Sequence, residues 1–422
     1  MDERDIRRLR GLKALVHDAV DGTTDLVEVG HESAARSITR MSERVPALQQ
    51  PGRVVDTLRR ASTRGVLLTV KTINRAVEAL TDLALDVAHP ALVDGTAEPS
   101  RAIPMRSDAP GSAAWAADAA LGLANGTFGD GLADQDGLDL GMEVRVGDRY
   151  LPLDADAWRA ALPDASPRVA LFVHGLATTE WSWCLASEAY HGDPATCFGT
   201  LLQRDLGFTP LYLRYNTGRR IPENGERLAR ILDRLLEVYP TPIEDLTLLG
   251  HSMGGLVLRS ACHHGSGAPW TDRVSRVFTF GSPHEGAPLA RFGDALAGVL
   301  EAVDTPATQV LARVLDGLSA GIKDLRHGTV TADELLEEVA LPRVRYHFLS
   351  ATVTMDADHP FGQLVGDLLV RTPSAEGPAT LREAHFHIET AHHGGVMHHQ
   401  LQNHPAVYEQ VRRACDPGSE PR

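Results

Sequence analysis

The sequence predicts an α/β protein: a mostly parallel sheet with helices on both faces, preceded by a helical N-terminal region. Two patterns carry this reading. From residue 141 onward, short apolar runs bounded by turn residues alternate with helical segments, which is how a parallel sheet covered on both sides is written. Before that point apolar residues recur only at steps of three and four. A hydrophobic fraction of 43% and a charged fraction of 23% over 422 residues supply a buried core and exclude global disorder.

In chain order, Leu9, Leu12, Val16, Val20, Thr23 and Val27 form one helical stripe, and Val66, Val70, Ile73, Val77 and Leu80 another. QQPG at 49–52 breaks the pattern between them and suggests a helical hairpin within a region spanning 1–90. The polar faces mix Arg with Asp and Glu, which favours packing against protein over lying on a membrane; peripheral membrane contact stays open as the second reading. Residues 91–140, rich in Gly, Ala, Asp and Pro, read as a linker with one short helix near Ala113–Ala124. MEVRVGDRYLPL at 142–153 alternates around Gly147-Asp148 and predicts a β-hairpin. Strands are then expected at Val169–Val173, Pro210–Tyr215, Leu246–Leu249, Val277–Phe280, Tyr346–Val353 and Phe386–Ile388. The sheet domain spans 141–416 and is followed by a tail at 417–422. Residues 287–339 are too long for an ordinary connection. Their helical spacing (Phe292, Leu296, Val299, Leu300, then Val310, Leu311, Val314, Leu318) predicts a helical cap.

Charge and composition narrow the function. The formal net charge of −15 would repel a phosphate backbone, so nucleic acid is not an expected partner. Cys184, Cys197, Cys262 and Cys415 show no CxxC spacing, and only a Cys184–Cys197 bridge across one loop is conceivable. The opening MDERDIRRLRGLKALV lacks the apolar core of a secretory signal, and no run reaches about 18 apolar residues, so the cytoplasm is the expected compartment.

The chemistry begins at LTLLGHSMGGLVLRSACHH, where an apolar strand runs through Gly250-His251-Ser252-Met253-Gly254 into a helix. This is G-x-S-x-G in the strand-turn-helix context it requires: a Ser at a tight turn projects its hydroxyl beyond the sheet, and flanking glycines let backbone approach without a Cβ clash. Ser252 is the candidate nucleophile, and the Met253 N–H, at the start of the helix, a candidate oxyanion donor. Val169–Val173 ends in His174-Gly175-Leu176, where α/β-hydrolases place the second donor, here the Leu176 N–H. An activated Ser needs a His base, and that His needs a carboxylate. In the chain order Ser, acid, His, the candidates for the acid are Asp356, Asp358 and Asp367. Asp367 is preferred, because it follows a loop long enough to return to the sheet edge whereas TMDADHP reads as a solvated turn.

For the base, the strand is expected at HFHIE and the next helix near Asn403-His404-Pro405, capped by Asn403. The loop between them retains His392, His393, His398 and His399. A metal site is a competing reading of this crowding, but HH pairs lack the i, i+4 spacing of helical zinc ligands, and neither a metal nor a cofactor is expected. Trp181 and Trp183, just after the oxyanion loop, are candidates to line an apolar acyl pocket. Arg214, Arg219 and Arg220 read either as a solvated basic loop or as contacts to an anionic head group.

VHGL, RYNTGR with the downstream ENG, GHSMGGLV, GSPHEGAPL at 281–289 and HxxLxNHPAVY together resemble bacterial esterases and lipases of the α/β-hydrolase superfamily, in particular PGAP1-like and class 2 lipase-like proteins, over about 140–416. The resemblance implies the α/β-hydrolase fold. It also places the base on His398, because Leu401, His404 and Pro405 then fall in register, although His399 beside it leaves the register open by one. The acid it implies is Asp367, with Leu368 standing where the family pattern has Gly. The expected activity is hydrolysis of a carboxylic ester or lipid with an apolar acyl chain. An acyltransferase using the same acyl-serine, or a catalytically silent scaffold with this fold, are the alternatives. The sequence leaves the oligomeric state open.

Overall fold

The computed structural model describes residues 102–108, 115, 118–119, 121–122, 125–126, 129–130, 139–286, 319–331, 340–352, 386–416 and 418. All lie in one compact unit. The helices expected over 1–90, the cap residues 287–318 and 332–339, the three candidate acids Asp356, Asp358 and Asp367, and nearly all of the tail lie outside the described residues.

The strands are β1 (Met142–Val146), β2 (Arg149–Leu151), β3 (Arg168–Val173), β4 (Thr209–Tyr215), β5 (Asp245–His251), β6 (Val274–Phe280), β7 (Arg345–Thr352) and β8 (His387–Gly394). They make one sheet in the order β2-β1-β4-β3-β5-β6-β7-β8. The β1–β2 hairpin turns at Gly147, which holds a left-handed φ of 56°, and β1 runs antiparallel to β4. Every pairing from β4 to β8 is parallel. Such strands are buried on both faces. Alternate residues of β3 therefore feed two cores.

On one face Val169, Leu171 and Val173 pack in a core with Leu228, Leu232 and Leu235 of α4 (Ile221–Val238) and Leu256 and Val257 of α5 (Met253–His264). α1 (Ala155–Ala161), capped by the Asp154 carboxylate, adds Trp158 to it. On the other face Ala170 and Phe172 pack with Phe198 and Leu202 of α3 (Phe198–Leu206) and Val407 and Val411 of α7 (Pro405–Cys415). Two short helices are also described, α2 (Ser187–His191) and α6 (Ala320–His327). This is the α/β-hydrolase arrangement, and no described helix is long and apolar enough to cross a membrane.

Three local expectations are corrected. The described residues between Trp115 and Asp130 are helical beyond Ala124. Leu121 and Asn125 are buried there, Asn125 accepting from Leu140 N at 3.1 Å, so this part of the expected linker is packed structure. β8 extends through His392 and His393, which takes both out of the expected loop. The cap of α7 is His404, whose ring accepts from Ala406 N, while Asn403 donates to Leu185 O and Ser187 Oγ. All four cysteines are buried and unbridged.

Of the three arginines Arg214 is buried, Arg219 half-buried and Arg220 exposed, and each is paired with a carboxylate. Arg219 pairs with Asp139 and Glu223, and Arg220 with Asp324. Arg214 is buried between Glu180, at 3.0 Å, and Asp118, with its guanidinium over the Tyr150 ring. Glu180 also receives Arg145 at 3.1 Å and the Tyr150 hydroxyl at 2.6 Å. Burial opposes ionisation of Glu180, but Arg214 and Arg145 outweigh it and hold the carboxyl well below the usual range. Removing one partner from such a group strands the opposite charges in low dielectric. Arg214→Met is therefore expected to lower stability by about 3–5 kcal/mol in urea unfolding. Arg230→Met, which breaks an exposed pair with Glu226, should cost less than about 1 kcal/mol. Equal losses would contradict the assignment of Arg214 to a buried network.

Candidate active site

The turn from β5 into α5 is the strained point of the described chain. Ser252 is one of three non-glycine residues among those described with a left-handed φ, 53° with ψ −124°, and it stays half-buried while the residues on either side are buried. Its amide donates to Phe280 O at 2.9 Å, tying the turn to the end of β6. A backbone in this region costs on the order of 1–3 kcal/mol and persists only where its surroundings over-determine it. They do: a Cβ on Gly254 would lie 2.6 Å from His174 O and closer still to Val173 O, and one on Gly250 would lie 2.6 Å from Gly255 N.

The loop that follows β3, which carries the candidate donor Leu176, arrives at the same point. A Cβ on Gly175 would stand 3.1 Å from Ser252 Cβ and 3.1 Å from His251 Nδ1, so the two turns touch. The loop's peptide planes are fixed by hydrogen bonds. Tyr215 Oη donates to His174 O at 2.9 Å, Thr178 Oγ1 donates to Gly175 O at 2.9 Å, and the His174 ring lies 3.0 Å from Gly175 O. Burial pushes the His174 imidazole down to about 4, so it is neutral and its Nδ1–H is the donor to that carbonyl. Leu176 follows this anchored peptide, and Met253, fully buried, opens α5 on the other side of Ser252.

His398 approaches from the turn between β8 and α7, in a 3-10 segment His398–Gln400. It is buried, 5% exposed, whereas His399 is exposed. The His398 and His251 rings lie 4.8 Å apart, and His251 Nε2–H donates to His398 O at 3.1 Å. Burial, reinforced by His398, lowers the His251 pKa well below the usual histidine range and keeps it neutral. His251 thus ties the residue before Ser252 to the turn that carries His398, a role that its place inside G-x-S-x-G did not announce. The other loop candidates are engaged elsewhere: His392 with Ser350 and Thr352, His393 with Gln410.

Ser252, Leu176, Met253 and His398 are thereby gathered at the C-terminal ends of β3, β5 and β8, and Asp367 lies outside the described residues. The two tryptophans separate. Trp183 has no exposed surface and packs edge-on against Phe172 at 5.0 Å and Phe280 at 5.8 Å, behind the elbow. Trp181 is half-buried and meets Trp115 edge-on at 5.3 Å. From the described part of the expected cap, a Cβ on Gly321 would stand 3.1 Å from Met253 Cε, so α6 borders the site. In the GSPHEG segment His284 contacts Thr279 and the buried Arg259, and Ser282 abuts Gly255, so these residues brace α5. Among the described residues no group of three or more His, Cys, Asp or Glu could hold a metal ion.

Residues 165–358 match the family model of the PGAP1-like alpha/beta domain. Among solved structures, the mature lipase BlEst2 of Bacillus licheniformis is 17% identical, with 60% of this chain and 94% of that one covered and a TM-score of 0.43. The carboxylesterase CesB of Bacillus subtilis is 13% identical, covering 59% and 82%, with a TM-score of 0.33. The ester-hydrolase EH1AB1 from the metagenome of Lake Arreo is 14% identical, covering 65% and 77%, with a TM-score of 0.36. No curated protein matches the sequence.

Because the atoms that a side chain on Gly254 would strike are the backbone carbonyls of Val173 and His174, no rotamer change can relieve the clash. Gly254→Ala is expected to destabilise the protein by about 1–3 kcal/mol in thermal or urea unfolding. A variant as stable as the parent would refute the packing of α5 on the end of β3.

Proposed function

We propose that this chain is a serine hydrolase of carboxylic esters. The observation that carries the reading is Ser252: a half-buried hydroxyl on a strained strand-to-helix turn, with the β3 loop pressed against it and a buried His beside the preceding residue. Strain at a position where nothing but a side-chain hydroxyl is displayed is a cost that function explains and packing does not.

In the proposed reaction Ser252 Oγ attacks the ester carbonyl while His398 takes its proton. The Leu176 and Met253 N–H groups hold the developing oxyanion. Collapse expels the alcohol, which leaves with the proton from His398, and a water deprotonated by His398 then releases the acid from acyl-Ser252. Asp367 is the proposed carboxylate that orients His398. His251 holds the backbone of the His398 turn. An apolar acyl chain is supported by Trp181, half-buried after the oxyanion loop, and by Met397, a large apolar side chain 38% exposed next to His398.

Hydrolysis of p-nitrophenyl esters by full-length variants tests the assignment. Ser252→Ala should lower kcat by about four to six orders of magnitude without changing the circular dichroism spectrum, and His398→Ala should cost a comparable amount. His399→Ala should stay within about tenfold of the parent. Retained activity in Ser252→Ala would remove it from the mechanism, and the reverse ranking of the two histidines would move the base by one residue.

A further inference from the structure

The oxyanion loop is held not only by its own sheet but by described residues between 115 and 130, which the mechanism above does not use. Asp118 accepts from Thr179 Oγ1 at 2.8 Å and pairs with buried Arg214, which in turn holds Glu180. Both ends of that chain of contacts lie in the loop, at Thr179 and Glu180. Further along, Asn216 Nδ2, just past β4, donates to Gly129 O at 2.9 Å, and a Cβ on Gly129 would strike Asn216 Oδ1. Between them, Gly126 faces Ala177, where an added Cβ would lie 2.6 Å from Ala177 Cα and 2.8 Å from Ala177 N. Ala177 has a left-handed φ of 58°, and its amide donates to Thr217 Oγ1 at 3.1 Å. It directly follows Leu176. An alanine in this region is held there by its neighbours, not by its own preference.

We propose that Asp118 and Gly126 form a clamp that sets the position of the Leu176 amide, which makes them, with Thr179, positioning residues for ester hydrolysis. The inference rests on the reading of Leu176 as an oxyanion donor. Such a donor stabilises charge that develops only in the transition state, so a displaced loop lowers kcat and leaves KM nearly unchanged.

The test uses the full chain. Thr179→Val keeps the side-chain volume and leaves the Asp118–Arg214 pair intact but deletes the hydroxyl that Asp118 holds. Thr179→Ser restores the hydroxyl, and Gly126→Ala adds the intruding methyl. Thr179→Val and Gly126→Ala should lower kcat for p-nitrophenyl butyrate by about 10–100-fold with KM within about twofold, and weaken binding of a trifluoromethyl ketone analogue in parallel. Thr179→Ser should recover most of the loss. Amide hydrogen exchange in residues 174–180 should rise in the two damaged variants alone. Unchanged kcat and unchanged exchange in Thr179→Val overturn the clamp, and they do so even where Gly126→Ala fails to fold. Absence of Ser252-dependent hydrolysis in the parent protein would defeat the functional reading instead, while the exchange measurement would still decide whether the clamp holds the loop.

Discussion

Two backbone turns, one leaving β3 and one leaving β5, meet at van der Waals distance, and the site is arranged around that contact. Neither turn would hold its shape alone. The Ser252 backbone sits outside the regions an ordinary residue prefers, and it is kept there by the Phe280 carbonyl, by α5 pressed onto the end of β3, and by Gly175 against its own Cβ. The parallel pairing of β3 with β5 is what brings the turns together, because it aligns the C-terminal ends of the two strands, Val173 opposite Gly250. Placing Ser252 and the loop after β3 side by side is thus a property of the sheet, and the side chains would add the chemistry of the proposed reaction.

The periphery of this contact is set by buried polar groups that neutralise one another. Glu180, Arg214, Arg145 and Asp118 would each be costly to bury singly, and together they fasten β1, β4, the loop after β3 and the helical residue Asp118 to one another. At the opposite end of the sheet Arg168 and Arg276 share Asp245, and their guanidinium groups reach the last carbonyls of α7, Cys415 O and Ala414 O. That lock fixes the C-terminal helix whose preceding turn carries His398.

Much of this was legible in the chain because it depends on local signals. The doubly buried strands are continuous apolar runs, G-x-S-x-G demands its strand and helix, and Pro405 opens α7 where its missing N–H costs nothing. What escaped depends on partners distant in sequence. The glycines at 122, 126 and 129 look like a flexible linker until the loop and strand they pack against are known. Arg214 looks solvated until Asp118 and Glu180, at sequence separations of 96 and 34 residues, close on it. Asn403 is a better cap than His404 by propensity, but its amide is claimed by Leu185 and Ser187 across the fold. Among the four histidines the resemblance pointed to His398 by the register of Leu401, His404 and Pro405 and left only His399 beside it open, and in the structure His398 is buried beside His251 whereas His399 is exposed.

The central claim is that the Ser252 hydroxyl, displayed on its strained turn, is an activated nucleophile. A fluorophosphonate reports this without any assumption about the natural ester, since it phosphonylates only a serine whose proton is being withdrawn and whose oxyanion is being held. Intact-mass measurement followed by peptide mapping should show one adduct per chain, on Ser252, and none on Ser252→Ala. A folded parent protein that takes up no label, or takes it up on a different serine, would contradict the account.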